Sequence, residues 1–131
     1  MSQENVEVVR AFFEAWNAGD MDAVRKLYDP EVIARTAEGW PEPGPHVGRD
    51  VVMRWFTQLR ETWDTDTVVP DGDFIHAADH VAVKYVWRGA GRGPDLEMRG
   101  TIVFTVRNRR ILGHEFFWDH EQALKAAGLA E

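Results

Sequence analysis

The chain has 131 residues, a length suited to one domain, and its 44% hydrophobic and 28% charged residues are those of a globular protein, not a disordered one. A formal net charge of -7 disfavours nucleic acid as a partner, and the absence of cysteine excludes disulfides, thiolate nucleophiles and cysteine-ligated metals. Six tryptophans and seven phenylalanines must be housed in a core, a pocket wall or a subunit interface.

Ser2 is suited to cap a first helix running to about Asn17, with Val6, Val9, Phe13 and Trp16 recurring on one face. Gly19 ends that helix, and Asp20 caps a short second one carrying Val24 and Leu27. Asp29-Pro30 stops it, because a residue before proline avoids the helical region. Val32 to Arg35 reads as a brief strand, and the prolines and glycines between Glu38 and Gly48 exclude regular structure there. Asp50 is expected to cap a third helix, in which Val52, Phe56, Leu59 and Trp63 repeat helically.

Beyond Trp63 the period changes to two. Thr67 to Val69 and Phe74 to Ala77 are short strands around a turn at Asp71-Gly72. Val81, Val83, Tyr85 and Trp87 alternate with Ala82, Lys84 and Arg88, a half-buried strand. Gly89 to Pro94 is a loop that precedes no helix and so lacks the context of a phosphate-binding loop. Leu96 to Arg107 and Ile111 to Trp118 are long strands joined at Asn108-Arg109, and Glu121 to Leu129 is a short helix or turn. Helices first and a strand meander afterwards predict a segregated α+β fold. The reading is one domain over residues 1–131, with a helical part to about residue 64, a sheet over 65–120 and a tail. No apolar run approaches the roughly 18–20 residues needed to span a bilayer. Met1 to Asn5 lacks the basic and apolar segments of a signal peptide, so the expected location is cytoplasmic, away from membranes.

Several residues carry a resemblance: Phe13-x-x-Trp16-Asn17-x-Gly19-Asp20, Leu27-Tyr28-Asp29-Pro30, Gly48-Arg49-Asp50, and Phe117-Trp118-Asp119 followed by Ala123-Leu124 and Ala127-Gly128-Leu129. In that order they resemble the SnoaL-like, polyketide cyclase-like group of the nuclear transport factor two-like superfamily. The resemblance implies a cone-shaped barrel of strongly bent antiparallel or mixed sheet, closed by the three N-terminal helices around a ligand cavity. It also implies a homodimer through the sheet. The superfamily holds isomerases, dehydratases, cyclases and non-catalytic binding domains, so the fold alone does not choose among them.

With a two-residue turn at Asn108-Arg109, Val103 falls opposite His114, Thr101 opposite Phe116 and Arg99 opposite Trp118. The other face then carries Met98, Ile102, Phe104, Val106, Ile111 and Phe117. Pattern alone would turn the more apolar Ile102 and Phe104 toward the helices. Similarity to ketosteroid isomerases implies the reverse, with Val103, His114, Phe116 and Trp118 in the cavity and Ile102 at a subunit contact. That reading also places Val83 and Tyr85 on the cavity wall, and Trp16, Trp55 and Trp63 across its opening, where core packing is the plainer role for them.

Carried over residue by residue, the isomerase machinery is missing. Its tyrosine donor falls at Phe12, its general base near Thr36 and its protonated aspartate near Val103, none of which can do that work. The arginine–aspartate pair of the superfamily's epoxide hydrolases is also broken, since Thr101 stands two residues after Arg99. His114 remains as a candidate general acid or base, and Arg99 as a clamp for developing negative charge. Their ordinary alternatives are a core histidine and a surface arginine paired with Glu97 or Asp119. Asp119 is better suited to cap the last helix, and Trp40 and His46 sit in a proline-rich loop that could lie over the cavity mouth. No histidine pair has helical metal-site spacing, so neither a metal nor a redox cofactor is expected.

Three readings stay open: an acid–base enzyme acting on a hydrophobic small molecule, a cavity protein that binds without catalysis, and a dimeric module whose cavity is filled by its own aromatics.

Overall fold

The computed structural model describes residues 2–40 and 44–129. Helices α1 (Ser2–Asn17) and α2 (Met21–Leu27) lead into strands β1 (Tyr28–Arg35) and β2 (His46–Val47), then helix α3 (Arg49–Glu61). Strands β3 (Thr65–Pro70), β4 (Ile75–Ala77), β5 (His80–Ala90), β6 (Leu96–Arg107) and β7 (Arg110–Phe117) follow, and α4 (His120–Ala126) is the last element. The fold is α+β, with one seven-stranded mixed sheet in the order β2-β1-β7-β6-β5-β3, β4 beside β5, and β1 parallel to β7. The sheet stays open, so the expected barrel is a half-wrapped sheet closed by helices.

Local chemistry sets the helix ends. Asp20 accepts from the Ala23 amide and caps α2, as Asp119 accepts from the Glu121 amide at the start of α4. The cap expected at Asp50 is not there: α3 starts one residue earlier, after Gly48 at φ 93°, and Asp50 lies in the first turn, paired with Arg25. The role expected of the Ser2 side chain lies outside the described side chains. Asp29-Pro30 does end α2, but the chain passes directly into β1 at Tyr28 and not at Val32, through an irregular stretch between Tyr28 and Ile33.

α1 ends on two residues that grip β3. The Trp16 indole donates to Asp66 Oδ2 at 2.8 Å, while the Asn17 carboxamide donates to the Val68 carbonyl and accepts from the Val68 amide at 2.9 and 2.8 Å. Polar contacts thus fix the helix to the sheet, and Val6, Val9, Phe13 and Trp16 fill the space between.

The closing hairpin corrects the expected register. Asn108 and Arg109 form the turn with φ of 54° and 63°, and Arg107 pairs with Arg110 as expected. A bulge between Thr105 and Val106 then leaves Leu112 unmatched, so Phe104 faces His114, Ile102 faces Phe116 and Val103 faces Glu115. Ile102 and Phe104 therefore share the inner face with His114 and Phe116. Val103 and Phe117 turn outward, where Val103 and Ala82 are covered by Ala123 of α4. The Ile102 face cannot be a subunit contact, because it is the core. Burying side chains such as Ile102 and Phe104 is worth about 1.5–3 kcal/mol each, enough to decide which face turns in.

Candidate functional site

The expected hollow beneath the helices is nearly filled. Phe12, Phe56, Phe104 and Phe116 hold their ring centroids 4.9–5.5 Å from that of His114, leaving a void of about 10 Å³. That is room for a single water at most. A roomier space lies further out, a pocket of about 370 Å³ whose walls include Trp40, Trp63, Trp87 and Trp118. Leu59 and Trp87 form walls of both spaces.

His114 is fully buried, and burial pushes its pKa down to about 3. Its Nδ1 lies 2.6 Å from the hydroxyl of Tyr28, whose own pKa is raised well above the ordinary value by burial, so the pair is a neutral imidazole and a neutral phenol. The hydrogen-bond pattern assigns the tautomer. If Tyr28 donates to Nδ1, one bond satisfies both groups and Nε2 carries the ring hydrogen; in the reverse arrangement the phenolic hydrogen has no acceptor among the described residues. Nε2 itself has no partner among the described residues, in a ring that lines the residual void.

Asp66 organises the wall between the two spaces. Its side chain is almost wholly buried and accepts from both Trp16 and Trp87 on Oδ2, at 2.8 and 3.0 Å, while Arg60 approaches Oδ1 at 3.4 Å. Trp87 is thereby fixed with its N–H turned to the carboxylate. Trp63 is seated by an absent side chain: a Cβ on Gly89 would stand only 2.5 Å from its ring. Trp118 donates its N–H to the Glu38 carbonyl at 2.8 Å and lies nearly parallel to Trp40, with centroids 5.7 Å apart.

The sequence-predicted residues divide accordingly. Val83, Tyr85, Phe116 and Trp16 are inner-wall residues; Trp55 is buried beside them with its ring stacked on His46. Trp63 and Trp118 line the outer pocket, and Trp118 is 48% exposed there, at the rim. Val103 lies on the opposite face of the sheet, for the register reason given above. Arg99 is not brought to His114: it is on the outer face, 60% exposed, paired with Glu97 at 2.8 Å and Asp71 at 3.7 Å. Tyr28 and Asp66 were missed as site residues. Tyr28 stands in the Leu27-Tyr28-Asp29-Pro30 segment that carries the resemblance, but nothing local marks its pairing with His114, 86 residues away; Asp66 has no local pattern, its indole partners lying 50 and 21 residues away.

A family model described as SnoaL-like domain matches residues 9–114. This chain belongs to the SnoaL-like domain family. No curated protein matches the sequence. Solved structures of the same fold include an NTF2-like protein of unknown function from Burkholderia pseudomallei, at 22% identity over 95% of this chain and 97% of that one, TM-score 0.78. A candidate SnoaL-like polyketide cyclase from Jannaschia sp. CCS1 aligns at 20% identity over 99% and 94% of the two chains, TM-score 0.76. TerC, co-crystallised with polyporic acid, aligns at 18% identity over 96% and 97%, TM-score 0.77. At these identities the likeness is one of fold. Within the SnoaL-like chain, no group of three or more histidine, aspartate or glutamate side chains among the described residues is placed to hold a metal ion. No helix among them is long and apolar enough to cross a membrane.

Proposed function

We propose that this SnoaL-like protein binds a small apolar molecule in the tryptophan-walled pocket. One observation carries the reading: a concave space of about 370 Å³, walled by four indoles with Leu59, Leu96, Met98 and Thr62, adjoins a core whose own void is about 10 Å³. Its volume is in the range of about 300–1,000 Å³ usual for small-molecule sites. TerC, whose fold is the same, has been crystallised with polyporic acid, which supports a small-molecule site in this fold.

A second reading, catalysis with His114 as a neutral hydrogen-bond donor to negative charge developing on a ligand oxygen, is supported by its unpartnered Nε2. As a neutral donor it would hydrogen-bond a ligand oxygen that entered past Leu59 and Trp87, in a setting where an unmade bond costs about 1–3 kcal/mol. Arg99 takes no part in this reading, being on the other face of the sheet.

The test is titration with 1-naphthol, followed through the indole N–H signals in 15N-correlated NMR. Saturable shifts of the Trp63, Trp87 and Trp118 signals, weakened in Trp118→Leu, are expected. No saturable shift, or the same shifts in Trp118→Leu, overturns the binding reading. A His114→Gln variant that binds a carbonyl-bearing probe, 1-indanone, as tightly as wild type rejects the His114 contact alone.

A further inference from the structure

We infer that the outer pocket takes a ligand carrying a tertiary or quaternary alkylammonium group, held on the faces of its tryptophans. The inference rests on the binding reading above and names the chemistry of its ligand.

Four observations point there. Trp40 runs nearly parallel to Trp87 and Trp118, at 24° and 20°, whereas Trp63 stands at 66° to Trp87. The pocket walls therefore meet at a steep angle, which suits a rounded, tetrahedral group better than a flat ring that could stack on one wall only. Second, the indole N–H groups of Trp87 and Trp118 are spent outside the pocket, on Asp66 and on the Glu38 carbonyl. What these rings offer a ligand is π surface, whose negative face attracts cations.

Third, none of the residues lining the pocket is charged, so no cation of the wall competes for that surface. The chain does use the same interaction elsewhere: Arg60 lies over Trp16 at 4.9 Å and Arg10 over Phe74 at 4.4 Å. Among the described residues, no such cation is placed over Trp40, Trp63, Trp87 or Trp118. Fourth, the net charge of -7 draws cations toward the protein and repels anions. An alkylammonium group is weakly hydrated and carries no N–H when quaternary and one when tertiary, so a pocket whose lining offers one side-chain hydroxyl, that of Thr62, can hold it.

The experiment compares choline with its neutral isostere 3,3-dimethyl-1-butanol, in 0.5 M NaCl so that diffuse attraction to the acidic surface is screened to within about 5 Å. Binding is read from the indole N–H signals. Choline is expected to shift the Trp63, Trp87 and Trp118 signals saturably and to bind at least about fivefold tighter than the isostere. Trp63→Leu and Trp118→Leu, each checked for folding by its spectrum, should each weaken choline by a similar factor. Equal affinity for the two molecules overturns the alkylammonium inference and leaves the binding reading standing, as does binding of 1-naphthol with none of choline. If neither choline nor 1-naphthol binds, both fail together.

Discussion

Replacing Asp66 with alanine should cost the fold several times what asparagine costs there. Asp66 Oδ2 takes both the Trp16 and the Trp87 indole N–H, while Oδ1 faces the partly exposed Arg60 at 3.4 Å. Both tryptophans are buried, with 2% of their surface exposed, so alanine leaves two donors without water or partner. At about 1–3 kcal/mol for each stranded group, the loss is about 2–6 kcal/mol, a large part of the roughly 5–15 kcal/mol that holds a domain together. Asparagine keeps one carbonyl oxygen with two lone pairs, enough for both indoles, and gives up only the attraction to Arg60, worth about 1 kcal/mol in a partly exposed pair. Urea unfolding followed by circular dichroism measures both variants, provided that the slopes with denaturant agree. If alanine costs less than about 1 kcal/mol, or if the two substitutions cost the same, the double acceptor is not what joins α1 to the sheet.

Two further predictions follow from buried or strained groups. The folded pKa of His114, about 3, lies below the ordinary 6.5, so between these values the unfolded chain binds a proton that the folded one refuses; the contribution is complete above pH 6.5 and is lost as pH falls toward 3. From pH 7.5 to 5.5 wild type should therefore lose about 1.4 kcal/mol more unfolding free energy than His114→Phe, and parallel pH profiles would refute this. At the hairpin tip, Arg109 sits at φ 63°, which costs a side-chain-bearing residue about 1–2 kcal/mol, and its pairing with Glu4 at 3.4 Å is exposed. Arg109→Gly should gain about 0.5–1 kcal/mol in the same unfolding assay, and a loss of stability would show that the ion pair outweighs the strain.

Much of the fold was legible because it rests on periodicity. The helical stripes of α1 and α3, the Asp20 and Asp119 caps and the long hairpin all follow from the spacing of apolar residues and turn formers. The facing of that hairpin did not. Ile111, His114 and Phe116 all point inward, and inward residues three apart cannot lie on one unbroken strand, so the odd spacing was itself the mark of a bulge. Reading the strand as regular gave Val103 the inner place that belongs to Ile102 and Phe104. The site was less legible for a different reason. His114 could be singled out as an ionisable group in an apolar run, but its neutrality depends on Tyr28 and four phenylalanines supplied by α1, α3, β6 and β7. Trp40 was recognisable only as an aromatic in a proline-rich loop, and no local pattern announces the wall it makes with Trp118.

β3 is the last strand on its side of the sheet, and its outward amide and carbonyl groups would otherwise be a template for a strand of another molecule. The carboxamide of Asn17 occupies the Val68 pair of those groups as a neighbouring backbone would. The helix that roofs the core thus also guards the sheet against growing outward into fibres.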